Sequence, residues 1–345
     1  MLALLLRRRH FARLWLASAV SLGGDWLSFV AVSRLAIERG GGALALAGVL
    51  AAHMLPGALT SPLAGILADR FDRRRLLVAA ALIQGVLTLL MATAAARGAL
   101  ALVQVLLLLR GIAASLVPPT EAAALRNVVE EDELLAANTL SAATWSVSYV
   151  GGMALGGVLA LLGPTTAISL DAVTFAFAAA LIWTVPPLPP PVRASRVPLG
   201  AVLRTIASDL SEAVAHARSR PLLARAVLAK VPVAVAAGAG WLALNLFADR
   251  AHPFGAAALS LGVMQAVRGA GTGIGPALAT GFVDRGGRKA RAGAVAYLVA
   301  FAGIALFVRT LDPVAILVVV LLWGAGSGAN WVLSSTELQR RSDAG

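Results

Sequence analysis

The sequence predicts an all-α integral membrane protein built from two related helical halves, and three observations carry that expectation. Hydrophobic residues make up 59% of the 345-residue chain and charged residues 13%, at a mean hydropathy of +0.83, whereas soluble domains carry roughly 25% charged residues. The apolar residues fall in runs long enough to cross a bilayer, with charges collected in the gaps. One such gap, Gly65, Ile66, Leu67, Ala68, Asp69, Arg70, Phe71, Asp72, Arg73, Arg74, Arg75, is echoed later by Asp284, Arg285, Gly286, Gly287, Arg288, Lys289, Ala290 and Arg291, between similar apolar runs. Such an echo is the mark of an internally repeated membrane protein.

Windows of about 20 apolar residues, the length that crosses roughly 30 Å of hydrocarbon, define ten spans: residues 14–37, 43–68, 76–96, 99–117, 135–162, 165–185, 222–247, 256–283, 292–308 and 313–334. The arginines before the first span resemble an export signal, but the apolar run that follows is too long for a cleaved one. Residues 1–185 thus form a six-span half and residues 222–345 a half of four spans. Residues 186–221 link them on the cytoplasmic side. The link opens with Pro186, Pro187, Pro189, Pro190 and Pro191, which cannot continue a helix. Leu203, Ile206, Leu210 and Val214 then recur at helical spacing, which predicts an amphipathic helix on the membrane surface.

Most arginines fall on one side of these spans; the other side holds Arg34, Arg39, Arg97, Arg250 and Arg309. The positive-inside bias puts both termini in the cytoplasm. A net charge of +12 could point to nucleic acid, but these basic residues sit between apolar runs rather than on a soluble face, so no nucleic-acid partner is expected. There are no cysteines and only four histidines, which excludes disulfides and thiolate chemistry. No P-loop, zinc-binding spacing or serine elbow is present, so neither an enzyme nor a cofactor is expected.

A charge inside the bilayer costs several kcal/mol unless paired or wetted. Asp25 lies about 11 residues into the first span, roughly 16 Å at 1.5 Å per residue. Ser18, Ser21, Asp25 and Ser28 share one face at spacings of three and four. Arg110, in the fourth span, lies at a similar depth and can neutralise Asp25. Gln265, Arg268, Thr272 and Gly275 make a second stripe along the eighth span, and its counterpart position in the first half is His53. Asp171, two turns into the sixth span, reads as a structural partner for a neighbouring helix or as part of an outer vestibule. Counting three buried cations against two buried acids mildly favours an anionic or neutral cargo. Glycines at 151, 152, 156 and 157 and at 269, 271, 273 and 275 permit close helix contact.

The Gly65, Asp69, Arg70, Arg73, Arg74 pattern resembles the loop signature of the major facilitator superfamily, with Asp72 where that signature has glycine. The second copy keeps this glycine as Gly287 and has Thr280 in place of the first one. Phe11 with Leu14, Trp15 and Leu16, then Gly24, Asp25 and Trp26, the run from Leu170 to Phe175, and Arg220, Pro221, Leu222 and Leu223 are similar to the branch with macrolide-efflux and enterobactin-exporter-like members, drug:proton antiporters. The resemblance covers essentially the whole chain. It implies a monomeric proton-coupled exporter of a small organic compound in the bacterial inner membrane, working by alternating access. Transport of a lipid or lysophospholipid on the same fold, or a non-transporting sensor or scaffold, stays open. By this resemblance the first and fourth spans line the central cavity, Asp25 and Arg110 with Arg268 and His53 are candidates for cargo and proton coupling, and the fifth and eighth spans pack between the halves. Gly65, Asp69, Arg70, Arg73, Arg74, Asp284, Arg285, Gly287, Arg288 and Lys289 are expected at the cytoplasmic gates, where Asp69 can meet arginines or a helix N-terminus.

Thr120 and Glu121, after the fourth span, are echoed by Thr336 and Glu337 after the tenth. A second half as long as the first would run well past Gly345, so the counterparts of spans five and six are expected to lie outside this sequence. A chain ending at Gly345 is then expected to insert in the membrane but to transport poorly.

Overall fold

The computed structural model describes residues 2–190, 230–284, 288–307 and 309–343, which form helices joined by short turns, with no strand among them. The chain divides into two compact units, Met1–Pro198 and Leu199–Gly345. The first contains α1 (Leu2–Arg7), α2 (Arg9–Ala36), α3 (Gly42–Arg70), α4 (Arg73–Ala96), α5 (Leu100–Ala114), α6 (Val117–Val128), α7 (Leu134–Leu159) and α8 (Pro164–Trp183). The second contains α9 (Lys230–Ala251), α10 (Ala257–Asp284), α11 (Lys289–Phe307) and α12 (Pro313–Asp343). The amphipathic helix expected over residues 203–214, most of the 186–221 link and the start of the seventh span lie outside the described residues.

Among the described residues, seven helical segments are long and apolar enough to cross a membrane: Arg9–Arg39, Gly42–Thr60, Arg73–Ala96, Leu100–Val128, Glu131–Leu162, Pro164–Trp183 and Pro313–Ser334, while Arg291–Phe307 is apolar but shorter. The protein is therefore a multi-pass helical membrane protein. The outer faces agree, with Val86, Leu89, Val105, Val147, Leu155 and Val173 all exposed, as expected where lipid replaces water.

In the first unit α2 packs against both α7 and α8, α4 packs on α8 and α5, and α3 lies on α5. Leu14, Ala17, Leu77, Val78, Ala124, Ala178 and Ile182 form one buried core across α2, α4, α6 and α8. A second core joins Leu4 of α1 to Phe11, Leu125, Val129, Ala137 and Leu140. Ion pairs close over it: Arg8 meets both Glu130 and Glu133, and these carboxylates hold its guanidinium pKa above the ordinary value, the hydrogen bond to Glu130 contributing most.

The fourth span departs from the reading of residues 99–117. The helix breaks only at Ser115 and Leu116, then resumes as α6 with Pro118 and Pro119 in its first turn. Proline is tolerated there because the first N–H groups of a helix have no intrahelical acceptor. The span thus runs to Val128 and takes Thr120 and Glu121 with it.

Some of the glycines serve close contacts inside each unit, whereas Gly151 and Gly273 face open space. A Cβ on Gly152 would lie 2.5 Å from the carbonyl oxygen of Gly23, and one on Gly156 would lie 2.8 Å from that of Leu27, so α7 meets the α2 backbone directly. In the second unit Gly271 and Gly275 of α10 leave no room for a Cβ against the backbone of α12.

Candidate functional site

A cavity of about 460 Å³ opens within the first unit, walled by α2, α4, α5, α6, α7 and α8. The polar stripe of α2 supplies Ser18, Ser21 and Asp25; α4 adds Gln84, α6 adds Glu121, and α7 adds Asn138, Ser141, Thr144 and Trp145. Phe11, Trp15 and Phe175 contribute aromatic surface. Mostly apolar walls carrying a few convergent polar groups are what a small-molecule site requires.

Asp25 belongs to a buried triad beside this cavity. The Arg110 Nη1 atom lies 2.8 Å from Asp25 Oδ1 and 2.8 Å from Asp171 Oδ2. Asp171 is 0% exposed and Arg110 is 2% exposed, so neither charge meets water directly. Ser28 donates a 2.6 Å hydrogen bond to Asp171 Oδ2, and Thr174 donates to Oδ1 at 3.3 Å. Asp25 and Arg110 are thus brought together as their depths predicted. Asp171 proves to be the second anion of that pair and does not belong to an outer vestibule. Ser28 leaves the cavity stripe to serve it.

The triad depends on Gly24. A Cβ there would lie 2.5 Å from Asp171 Oδ1 and would also collide with Thr174. The absence of a side chain lets α8 come close enough for the Asp171 carboxylate to reach Arg110. Neither Gly24 nor Glu121 stood out as a site residue in the sequence. The available signals were local or indirect: Gly24 adjoins Asp25, and Glu121 recurs as Glu337 in the second half.

The other candidates lie elsewhere. His53 packs its ring against Trp26 and Phe29 at 5.5 and 5.1 Å between centroids, and it is not among the residues lining the cavity. Arg268 belongs to the second unit. It is buried there, donates from Nε to Gln265 Oε1 at 2.8 Å and lies 5.0 Å from the Trp241 ring and 5.4 Å from that of Trp323.

In the loop between α3 and α4, Gly65 and Arg70 lie on the last turns of α3 and Asp69 is exposed there, without an ion pair among the described residues. Asp72 caps α4, accepting from the Arg75 N–H at 2.9 Å. Arg73 is buried, and it donates to Asn127 Oδ1 at 2.5 Å and to the Pro189 carbonyl at 3.4 Å. Arg74 donates to the Val185 carbonyl at 2.9 Å and lies 4.6 Å over the Trp183 ring. These two arginines hold the chain that leaves α8. Asp284 ends α10, Arg288 is exposed and Lys289 opens α11, whereas Arg285 and Gly287 lie outside the described residues.

Long apolar helices around a mostly apolar cavity with buried ionic side chains define a multi-pass membrane protein of transporter architecture. The chain belongs to the major facilitator superfamily, whose family model matches residues 14–344. No curated protein sequence matches it. Among solved structures it is similar to the nucleoside transporter NupG, at 15% identity and a TM-score of 0.70, over 96% of this chain and 82% of that one. It is similar also to a bacterial homolog of the human lysosomal transporter Spinster in an inward-facing, unoccupied conformation, at 15% identity and a TM-score of 0.67, over 97% and 78% of the two chains. A D-xylose–proton symporter matches at 15% identity and a TM-score of 0.58, over 92% and 80%. At such identities the likeness is one of fold.

Proposed function

We propose that the protein is a secondary active transporter that exports a small organic compound in exchange for protons by alternating access, with the first-unit cavity as part of its cargo site. The observation that carries this reading is the triad. One guanidinium between two carboxylates sums to one negative charge when both acids are ionised and to zero when one binds a proton. In a low-dielectric surrounding a net charge is costly. Asp25 belongs to both the triad and the cavity wall, so the charge on the triad acts directly on whatever occupies the cavity. Proton binding and cargo binding are thereby linked through one carboxylate.

The name of the D-xylose–proton symporter attaches proton coupling to a related fold, which supports this reading, and the nucleoside transporter attaches it to small-molecule cargo. Efflux as the direction rests on the likeness of the α2 and α8 segments to exporters. Asp69, Arg70, Asp284, Arg285 and Arg288 are proposed to act at the cytoplasmic gates.

The test takes the protein in inverted vesicles that carry a respiration-driven proton gradient. Cargo addition to the parent should dissipate the gradient. Asp25→Asn should abolish that dissipation while counterflow exchange of cargo without a gradient persists. Proton-driven transport unchanged in both Asp25→Asn and Asp171→Asn would remove coupling from the triad.

A further inference from the structure

We propose that the first-unit cavity is built for an organic cation, an amine or quaternary ammonium with an aromatic or apolar body, and that Glu121 is its specificity-determining residue. This rests on the reading of the cavity as a cargo site and names the class of cargo. Among the residues lining the cavity the only charged ones are Asp25 and Glu121, both acids. Arg110 is not part of the lining and stands between Asp25 and Asp171, so it offsets one charge of that pair and none of Glu121. The count of buried cations in the sequence pointed towards anionic or neutral cargo. Pairing reverses that balance at the cavity wall.

Glu121 is the acid left for a ligand. Its carboxylate accepts from Ser18 Oγ and makes no ion pair among the described residues. A hydroxyl leaves the rest of the carboxylate's acceptor capacity unfilled and, when the acid is ionised, leaves its charge unbalanced. An ionised carboxylate in a mostly apolar recess binds an opposite charge more strongly than it does in water. The walls beside it suit the same cargo. Trp15 is fixed by a 2.5 Å hydrogen bond from Nε1 to Thr144 Oγ1, and Trp145, 46% exposed, stacks on Tyr149 with ring centroids 5.4 Å apart. Indole faces in the same cavity lining as the two acids attract a desolvated cation through the ring quadrupole and give its apolar body a surface to bury.

Tetraphenylphosphonium and tetraphenylborate share one shape and carry opposite charges, which isolates the sign of the ligand. Each is titrated by equilibrium binding against the 345-residue chain in nanodiscs of uncharged lipid, with no gradient imposed. The cation should bind saturably and the anion should not. Glu121→Gln should weaken cation binding by roughly tenfold or more, and Glu121→Asp, which keeps the charge, should retain most of it. Saturable binding of the anion as tight as that of the cation would overturn the proposal, as would the absence of cation binding by the parent chain or an undiminished affinity in Glu121→Gln. The parent titrations decide the sign even if a variant fails to fold. Because the measurement is an equilibrium without protons moving, it can fail while coupling through the triad stands, and it can succeed where coupled transport fails.

Discussion

Arg110 stands between two carboxylates, and the energetics of the triad follow from that arithmetic. Removing the cation alone leaves two buried acids facing each other, so Arg110→Leu should cost about 3–5 kcal/mol. Adding Asp25→Asn and Asp171→Asn to it should recover most of that loss, since no charge is then stranded. Thermal unfolding in detergent compares the variants. Gly24 is the second lever: Gly24→Val forces α8 away from α2 and should cost about 1–3 kcal/mol as overpacking, with Gly24→Ala less severe in the same assay. Asp25 and Arg110 were legible in the sequence because a charge in an apolar run is expensive enough to need a reason. Asp171 was legible only as a partner for some neighbouring helix or a vestibule residue; that its partner is Arg110, 61 residues away, depends on a helix rotation set by packing rather than spacing.

At the level of helices, the runs of apolar residues gave the elements but not all their ends. The fourth span was read to end at residue 117, and Pro118 and Pro119, which follow, open α6 instead. That one misplaced end hid Glu121, which became a cavity residue only once α6 was seen to continue the fourth span. The α3–α4 loop was recognisable from its arginines, yet sequence could not say what those arginines hold. Arg73 and Arg74 bind carbonyls of the segment after α8, a contact between distant stretches that no periodicity encodes. Arg73→Ala should therefore loosen residues 184–190, seen as faster protease cleavage there, with a stability loss of about 1.5–3 kcal/mol for hydrogen bonds from a charged donor. Arg73→Lys should not restore protection in full, because an ammonium cannot reproduce the planar fork of donors. Equal cleavage rates in parent and Arg73→Ala would show the contact to be dispensable.

Across the whole molecule, the excess of arginine on one side of the spans predicts an orientation, with that side in the cytoplasm. The chain has no cysteine, so single thiols report without background. Gly98 and Gly255 adopt φ of +69° and +94°, conformations that a cysteine side chain strains, so the exposed positions Arg97 and Leu311 are better probes of the outer side. Cysteines at these two should react with an impermeant maleimide in intact cells, and those at Phe71 and Arg288 only after lysis. The opposite pattern would invert the topology.

The triad also sets an order of events during synthesis. Asp25 enters the membrane with α2, and its cation is not made until α5 emerges; at about 5–20 residues per second the acid waits for several seconds. A single charge at a helix centre costs about 2.5–3.5 kcal/mol on insertion, so the young α2 is held weakly while it waits. Its α7 and α8 packing surfaces do not yet exist. Ribosome-bound chains arrested before α5 should wash out of membranes with alkali, whereas chains arrested well beyond α8 should resist, and Asp25→Asn should let the shorter chains stay. The first helix to enter the membrane is thus among the last to be secured, and surveillance of nascent membrane proteins would act on this chain in that interval.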